Sequence, residues 1–212
     1  MYESGVIRTR GRVDHKDAFL DTSPLERERG ITIFSKQACF SYGNMDVMML
    51  DTPGHVDFSS EMERTLQVID YAVLIISGTD GVQGHTATLW SLLRRQQIPT
   101  FLFINKMDQP GTDREALLAE VKEKLDANCV EFSADQTDEE WKEQVAVCDE
   151  QVMEAYLEGE EISREQIRQM IRERKLFPCY FGSALKMTGV EEFLDDLSTR
   201  DPVSYTHLRA HE

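Results

Sequence analysis

The sequence predicts an α/β fold, with a mostly parallel sheet covered by helices on both faces. Three observations carry that expectation. Short apolar runs of strand length alternate along the chain with helix-spaced apolar positions, the pattern of a parallel sheet whose strands are buried on both sides. Polar loops follow the apolar runs Val47–Leu50 and Thr100–Ile104, and in open α/β sheets ligands lie off the carboxyl ends of strands. Finally, 212 residues that are 41% hydrophobic and 8% aromatic supply one sizeable core and exclude a disordered chain.

The elements follow in order. Thr32–Tyr42 reads as a strand through Ile33, Phe34, Cys39 and Phe40, and Val47–Leu50 as a short strand ending at Asp51. Phe58–Ile69 places Met62, Leu66 and Ile69 on one helical face. Ala72–Ile76 is a buried-type strand, Ala87–Leu93 a helix, Thr100–Ile104 a strand and Asp113–Leu125 a helix. Asp138–Leu157 and Ser163–Lys175 read as two amphipathic helices, with Trp141, Val145, Cys148, Val152, Tyr156, Ile167, Met170 and Ile171 on their apolar faces. Pro178–Phe181 is a late strand and Val190–Leu197 a last helix. The string PVSYTHLRAHE within Asp201–Glu212 has no apolar periodicity and resembles a translated sequencing-adaptor or assembly scar.

Charge and cysteines narrow the classes. Lys and Arg number 23 against 39 Asp and Glu, a net charge of −16, which argues against a broad nucleic-acid-binding face. Residues 112–175 hold 19 acids and 9 bases, so most of the imbalance sits in the helical stretch. Cys39, Cys129, Cys148 and Cys179 are far apart and form no CxxC pair, which fits a reduced protein without a zinc site. No apolar run approaches about 18 residues, so no membrane span is expected, and no secretion signal opens the chain.

Four motifs carry chemistry. Asp51-Thr52-Pro53-Gly54-His55 follows a strand; an Asp there can hold a metal-bound water, and a Gly lets a backbone N–H approach a phosphate. Alone it also reads as an ordinary turn. Asn105-Lys106-Met107-Asp108 follows the second polar-ended strand. An Asp carboxylate can accept both N1–H and the N2 amine of guanine, which adenine cannot offer, while Asn105 bonds the base edge and the Lys106 stem covers its face. The competing reading is an Asn/Asp turn. Gly182-Ser183-Ala184-Leu185-Lys186 is a small-residue loop whose amides can reach a carbonyl such as guanine O6, and alone it is a plain strand-to-helix turn. In Arg27-Glu28-Arg29-Gly30-Ile31-Thr32-Ile33, a Thr hydroxyl in a mobile loop can ligate magnesium when a third phosphate is present; the competing reading is a basic-acidic loop entering a strand. All four occur in order, each at a strand boundary.

With these motifs the chain resembles the GTP-binding domain of translational GTPases over roughly residues 1–200. It is most similar to the tetracycline-resistance ribosomal protection proteins, relatives of elongation factor G, through TSPLERERGITI, DTPGHVDF, GVQGHT, INKMDQPGTD and LFPCYFGSA. The resemblance implies a P-loop NTPase-type, Ras-like sheet with a small helical insertion, GTP and Mg2+ as cofactors, and the ribosome as partner. Thr32 would ligate Mg2+ and Asp51 would hold a metal-bound water, with Pro53 in the same nucleotide-contacting turn. The Gly54 N–H would contact the γ-phosphate, His55 would orient the attacking water, and Ile31 would form part of its apolar gate. Asn105, Lys106 and Asp108 would read guanine, with Ser183, Ala184 and Leu185 closing over it. His85 is expected only to start a helix. The implied activity is GTP hydrolysis, in which positioning and charge stabilisation supply most of the rate.

One expected motif is missing: GxxxxGK[ST] occurs nowhere in the chain. The sequence is therefore expected to be a piece of a longer product, lacking the first strand and phosphate loop, and as written to bind GTP weakly and hydrolyse none. The expected organisation is residues 1–135 as the first part of the GTP-binding domain and 136–175 as an acidic helical insertion. Residues 176–200 supply its last strand and helix, and 201–212 a non-native tail. A cytoplasmic protein, monomeric off the ribosome, with a ribosomal stalk protein as a further partner of the acidic helices, completes the expectation. The alternatives are an elongation factor G-type translocase fragment and a loop-less, non-catalytic interaction module.

Overall fold

The computed structural model describes residues 36–43, 45–52, 59–132 and 138–200. The chain divides into two compact units, Met1–Ile69 and Asp70–Glu212.

In the first unit, β1 (Lys36–Tyr42) and β2 (Met45–Asp51) form an antiparallel pair, in register from Lys36 opposite Asp51 to Tyr42 opposite Met45. Gly43 turns the chain at φ +56, a conformation glycine adopts without steric cost. Ala38 and Met45 are buried, and the Ser41 hydroxyl donates to Asp46 Oδ1 at 2.7 Å across the pair. Helix α1 (Ser59–Leu66) buries Met62 and Leu66, as their four-residue spacing requires.

The second unit is a four-stranded parallel sheet in the order β3-β4-β6-β5, formed by β3 (Ala72–Ser77), β4 (Thr100–Asn105), β5 (Cys129–Glu131) and β6 (Phe177–Phe181). The two inner strands, TFLFIN and FPCYF, are buried almost throughout, which is why their sequences do not alternate. On one face Leu74, Ile76, Leu102, Ile104, Cys179 and Phe181 pack with Trp90 of α2 (Gly84–Arg95) and with Leu117 and Val121 of α3 (Arg114–Lys124). On the other face Phe103 and Tyr180 meet Phe193 of α7 (Val190–Arg200), with ring centroids 5.4 and 5.0 Å apart. Helices thus cover both faces, as expected.

Two expectations need correction. The stretch Asp138–Leu157 is two helices, α4 (Glu139–Ala146) and α5 (Glu150–Leu157), so three helices and not two separate β5 from β6. The break lies where Asp149 caps α5: its carboxylate accepts from the Gln151 and Val152 amides at 2.9 and 3.1 Å, which satisfies donors that a continuous helix would have used differently. Strand β5, absent from the sequence reading, is only three residues long, too short for any periodicity to show. Helix α6 (Arg164–Arg172) starts with a reciprocal cap, in which Ser163 Oγ accepts from the Gln166 amide and Gln166 Oε1 accepts from the Ser163 amide.

Among the described residues no helix is long and apolar enough to cross a membrane. The Thr32–Tyr42 strand is described from Lys36 onward. Ile31, Thr32, Pro53, Gly54 and His55 lie outside the described residues.

Candidate functional site

Strand pairing brings the NKMD and GSALK loops together. Ser77 pairs with Asn105 and Ile104 with Phe181, so three loops leave the carboxyl edge side by side. Main-chain hydrogen bonds tie them: Gly78 N to Asn105 O at 2.7 Å, Gly182 N to Ile104 O at 2.9 Å, and Met107 N to Gly182 O at 3.0 Å. The Asn105 side chain joins two of these loops. Its Oδ1 accepts from the Lys106 amide at 2.8 Å and from the Ala184 amide, 79 positions along the chain, at 2.9 Å.

The second loop is closed by paired bonds between Ser183 and Thr188, 2.9 and 3.1 Å long. The buried Ser183 hydroxyl also accepts from the Lys186 amide at 3.2 Å. Gly182 is required here, because a Cβ would collide with the Thr188 carbonyl oxygen and the Phe103 ring. In the first loop Lys106 sits at φ +66, a left-handed conformation that costs a non-glycine residue roughly 1–2 kcal/mol. Its side chain is exposed.

Asp108 is the charged centre. The Ser183 hydroxyl, its own backbone amide and the Lys186 ammonium hold its carboxyl below the usual carboxylate range, against the opposing effect of burial. Lys186 Nζ lies 3.7 Å from Oδ2, and Gln109 Nε2 donates to the same oxygen at 3.3 Å. At neutral pH the site therefore presents an ionised, acceptor-only carboxylate, the group that can take two N–H donors of a guanine edge.

Of the predicted guanine-reading residues, the structure gathers Asn105, Lys106, Asp108, Ser183, Ala184 and Leu185 on these two adjacent loops. A cavity of about 460 Å³ opens beside them, lined by Asp108 and Ser183 together with Met107, Phe181, Thr188 and Glu192 among others. Asn105, Lys106, Ala184 and Leu185 do not line it, and Leu185 is half exposed. Sequence reasoning gave no role to Lys186, although it lies in the quoted motif, or to Gln109, whose contact with Asp108 no motif signals. It also missed Asp80, in the loop after β3, whose carboxyl is lowered by the Ser77 and Thr79 hydroxyls and by Lys106.

Asp51 ends β2 in the first unit and is partly buried. Among the described residues no group of three His, Cys, Asp or Glu side chains could cage a metal. The donors expected from the sequence, the Asp51 carboxylate through water and the Thr32 hydroxyl, are of the kind suited to Mg2+, which keeps several waters and takes phosphate oxygens.

Known proteins resemble this chain in sequence and in fold. The elongation factor Tu GTP binding domain family matches residues 1–202. The tetracycline resistance protein TetW of Butyrivibrio fibrisolvens is 38% identical over 92% of this chain and 33% of its own length. TetM from transposon Tn916 of Enterococcus faecalis is 35% identical over 94% and 34%. A crystal structure of a protein from Thermus thermophilus superposes with a TM-score of 0.81 at 23% identity, covering 94% of this chain and 36% of its own, a likeness of fold. The chain spans about a third of the length of the curated relatives it matches. With the motif loops in place and the family match running across nearly the whole sequence, the chain belongs to the elongation factor Tu GTP-binding domain family.

Proposed function

We propose that this chain is the GTP-binding domain of a ribosome-stimulated translational GTPase that protects ribosomes against tetracycline, hydrolysing GTP to GDP and phosphate. The observation that carries the reading is the joining of the NKMD and GSALK loops through Asn105 around the ionised Asp108 carboxylate. In this reading Asp108 accepts N1–H and N2–H of guanine, the Lys106 stem covers one face of the base, and Ser183, Ala184 and Leu185 close over the other edge. Thr32 and, through a water, Asp51 would hold Mg2+, and Pro53 would contact the nucleotide. Gly54 N–H meets the γ-phosphate, His55 orients the attacking water and Ile31 forms its apolar gate. Bound Mg2+ would supply charge neutralisation between the phosphates.

The resistance reading rests on relatives whose names state tetracycline resistance, at 34–38% identity over at least 92% of this chain. The whole protein would act in the cytoplasm as a monomer off the ribosome. Residues 136–175 would form an insertion within the GTP-binding domain, whose acidic helices α4, α5 and α6 face a ribosomal stalk protein.

A chimera tests the proposal. Residues 1–200 replace the corresponding segment of TetW, and ribosome-stimulated GTP hydrolysis is measured. Stimulated turnover that His55→Ala abolishes is expected. A chimera that binds GTP but gains no turnover from ribosomes would contradict it.

A further inference from the structure

The carboxylate assigned to guanine is already engaged by groups of its own chain. Its Oδ2 takes the Gln109 amide at 3.3 Å and faces the Lys186 ammonium at 3.7 Å. The Ser183 hydroxyl also helps to hold this carboxyl below its usual range. A carboxylate has about four lone-pair directions, and an incoming base needs two of them, one on each oxygen. On Oδ2 the base therefore meets the Gln109 amide and the Lys186 charge.

Charge and exposure decide which of them competes: Gln109 is exposed but neutral, whereas Lys186 is exposed and charged. The Asp108 side chain is only 10% exposed, whereas that of Lys186 is 61% exposed. Ser183 is buried, and its loop is fixed by the paired bonds to Thr188. It cannot withdraw without breaking the loop. Lys186 is on a flexible stem, already mostly hydrated, and at 3.7 Å is held by charge alone. Guanine brings neutral donors and so gains nothing from a cation that stabilises the unliganded anion. We infer that Lys186 is a competing internal cation that occupies the guanine-reading carboxylate of Asp108 when no base is bound and is displaced when guanine enters. It is thus a residue that sets guanine affinity without reading the base. The inference rests on the guanine-reading role proposed above for Asp108.

Exposed ion pairs are worth about 0.2–1 kcal/mol, and each 1.4 kcal/mol is tenfold, so removing the competitor should tighten binding by about 1.4- to 5-fold. The probe is GMP, whose base can engage the two loops without a phosphate-binding loop, titrated into the 212-residue chain and followed at the Ala184 and Asp108 amides by NMR. Lys186→Met should tighten GMP binding by that factor at low ionic strength. The difference should vanish at about 1 M salt, where screening acts within about 3 Å. Lys186→Arg should restore the wild-type affinity. Lys186→Gln serves as a second neutral variant, and an unchanged amide spectrum at Gly182 and Ser183 certifies the loop.

Equal or weaker GMP binding in both neutral variants, with Asp108→Ala still abolishing it, would overturn the inference and leave the guanine reading standing. No base-selective GMP response in the wild-type chain or in either neutral variant would overturn both.

Discussion

Replacing Asn105 by alanine tests the link between the two motif loops most sharply. The side-chain oxygen accepts two amide hydrogen bonds, from Lys106 at 2.8 Å and from Ala184 at 2.9 Å. Each such bond contributes about 0.5–1.5 kcal/mol net, so Asn105→Ala should cost about 1–3 kcal/mol. For a chain of this size each kcal/mol moves the melting temperature by about 2–4 °C, which gives a fall of about 2–12 °C. Asn105→Asp keeps an acceptor oxygen in place and should lose much less. Urea unfolding followed by circular dichroism measures the stability difference. Amide exchange at Lys106 and Ala184 shows whether the loss is local, and both amides should exchange faster in the alanine variant alone. Wild-type stability in Asn105→Ala, or an equal loss in Asn105→Asp, would refute the bridging role.

Further predictions concern the loop, the helical stretch and the missing motif. Gly182→Ala forces a Cβ against the backbone carbonyl of Thr188 and the Phe103 ring; backbone cannot yield as a side chain would, so a loss of about 2–3 kcal/mol in urea unfolding is expected, and wild-type stability would contradict it. Asp149→Ala removes the cap of α5 and should cost about 1–2 kcal/mol at neutral pH. The Asp149 carboxyl is held below its usual value by Lys175 and by the Val152 and Gln151 amides. Its contribution is therefore present above the unfolded value of about 3.9 and disappears as pH falls through the lower folded value. The gap between wild type and Asp149→Ala should begin to narrow below about pH 4 and go on shrinking as the folded carboxyl is protonated, and a gap that stays constant down the acid range would refute the assignment. Because the 212-residue chain has no Gly-Lys-Ser/Thr, several charge-assisted bonds to phosphate, each worth about 1.5–3 kcal/mol, are missing. Calorimetry should accordingly find no micromolar GTP binding, and finding it would contradict this reasoning.

Much of the fold was legible because its signals are local. Asp113 and Ser163 mark helix starts by side-chain capping, and the apolar runs at Ala72 and Thr100 become neighbouring strands. The late strand begins at Phe177, one residue before the expected Pro178. The order β4-β6-β5 places β6 beside β4, past four intervening helices and strand β5, and no local pattern encodes that neighbour relation. The bond from Ala184 to Asn105 depends on it, so the motifs were visible individually while their joining was not. Lys186 was unreadable for a similar reason: a lysine in a loop says nothing of which carboxylate it faces until the fold brings Asp108 within 3.7 Å. The break before α5 escaped because the apolar face runs through Val145, Cys148 and Val152 without interruption, while the stop is made by one capping carboxylate.

The central claim, that Asp108 reads guanine, has one most direct test. GMP and xanthosine monophosphate are titrated into the wild-type chain and into Asp108→Asn, with the base signals followed by NMR. Xanthine offers a carbonyl where guanine offers the N2 amine, so an asparagine amide complements it as the carboxylate complements guanine. Wild type should prefer GMP, by about tenfold or more for one exchanged charge-assisted bond, and Asp108→Asn should reverse the preference. An unchanged preference for GMP in Asp108→Asn, or no discrimination by the wild-type chain, would contradict it.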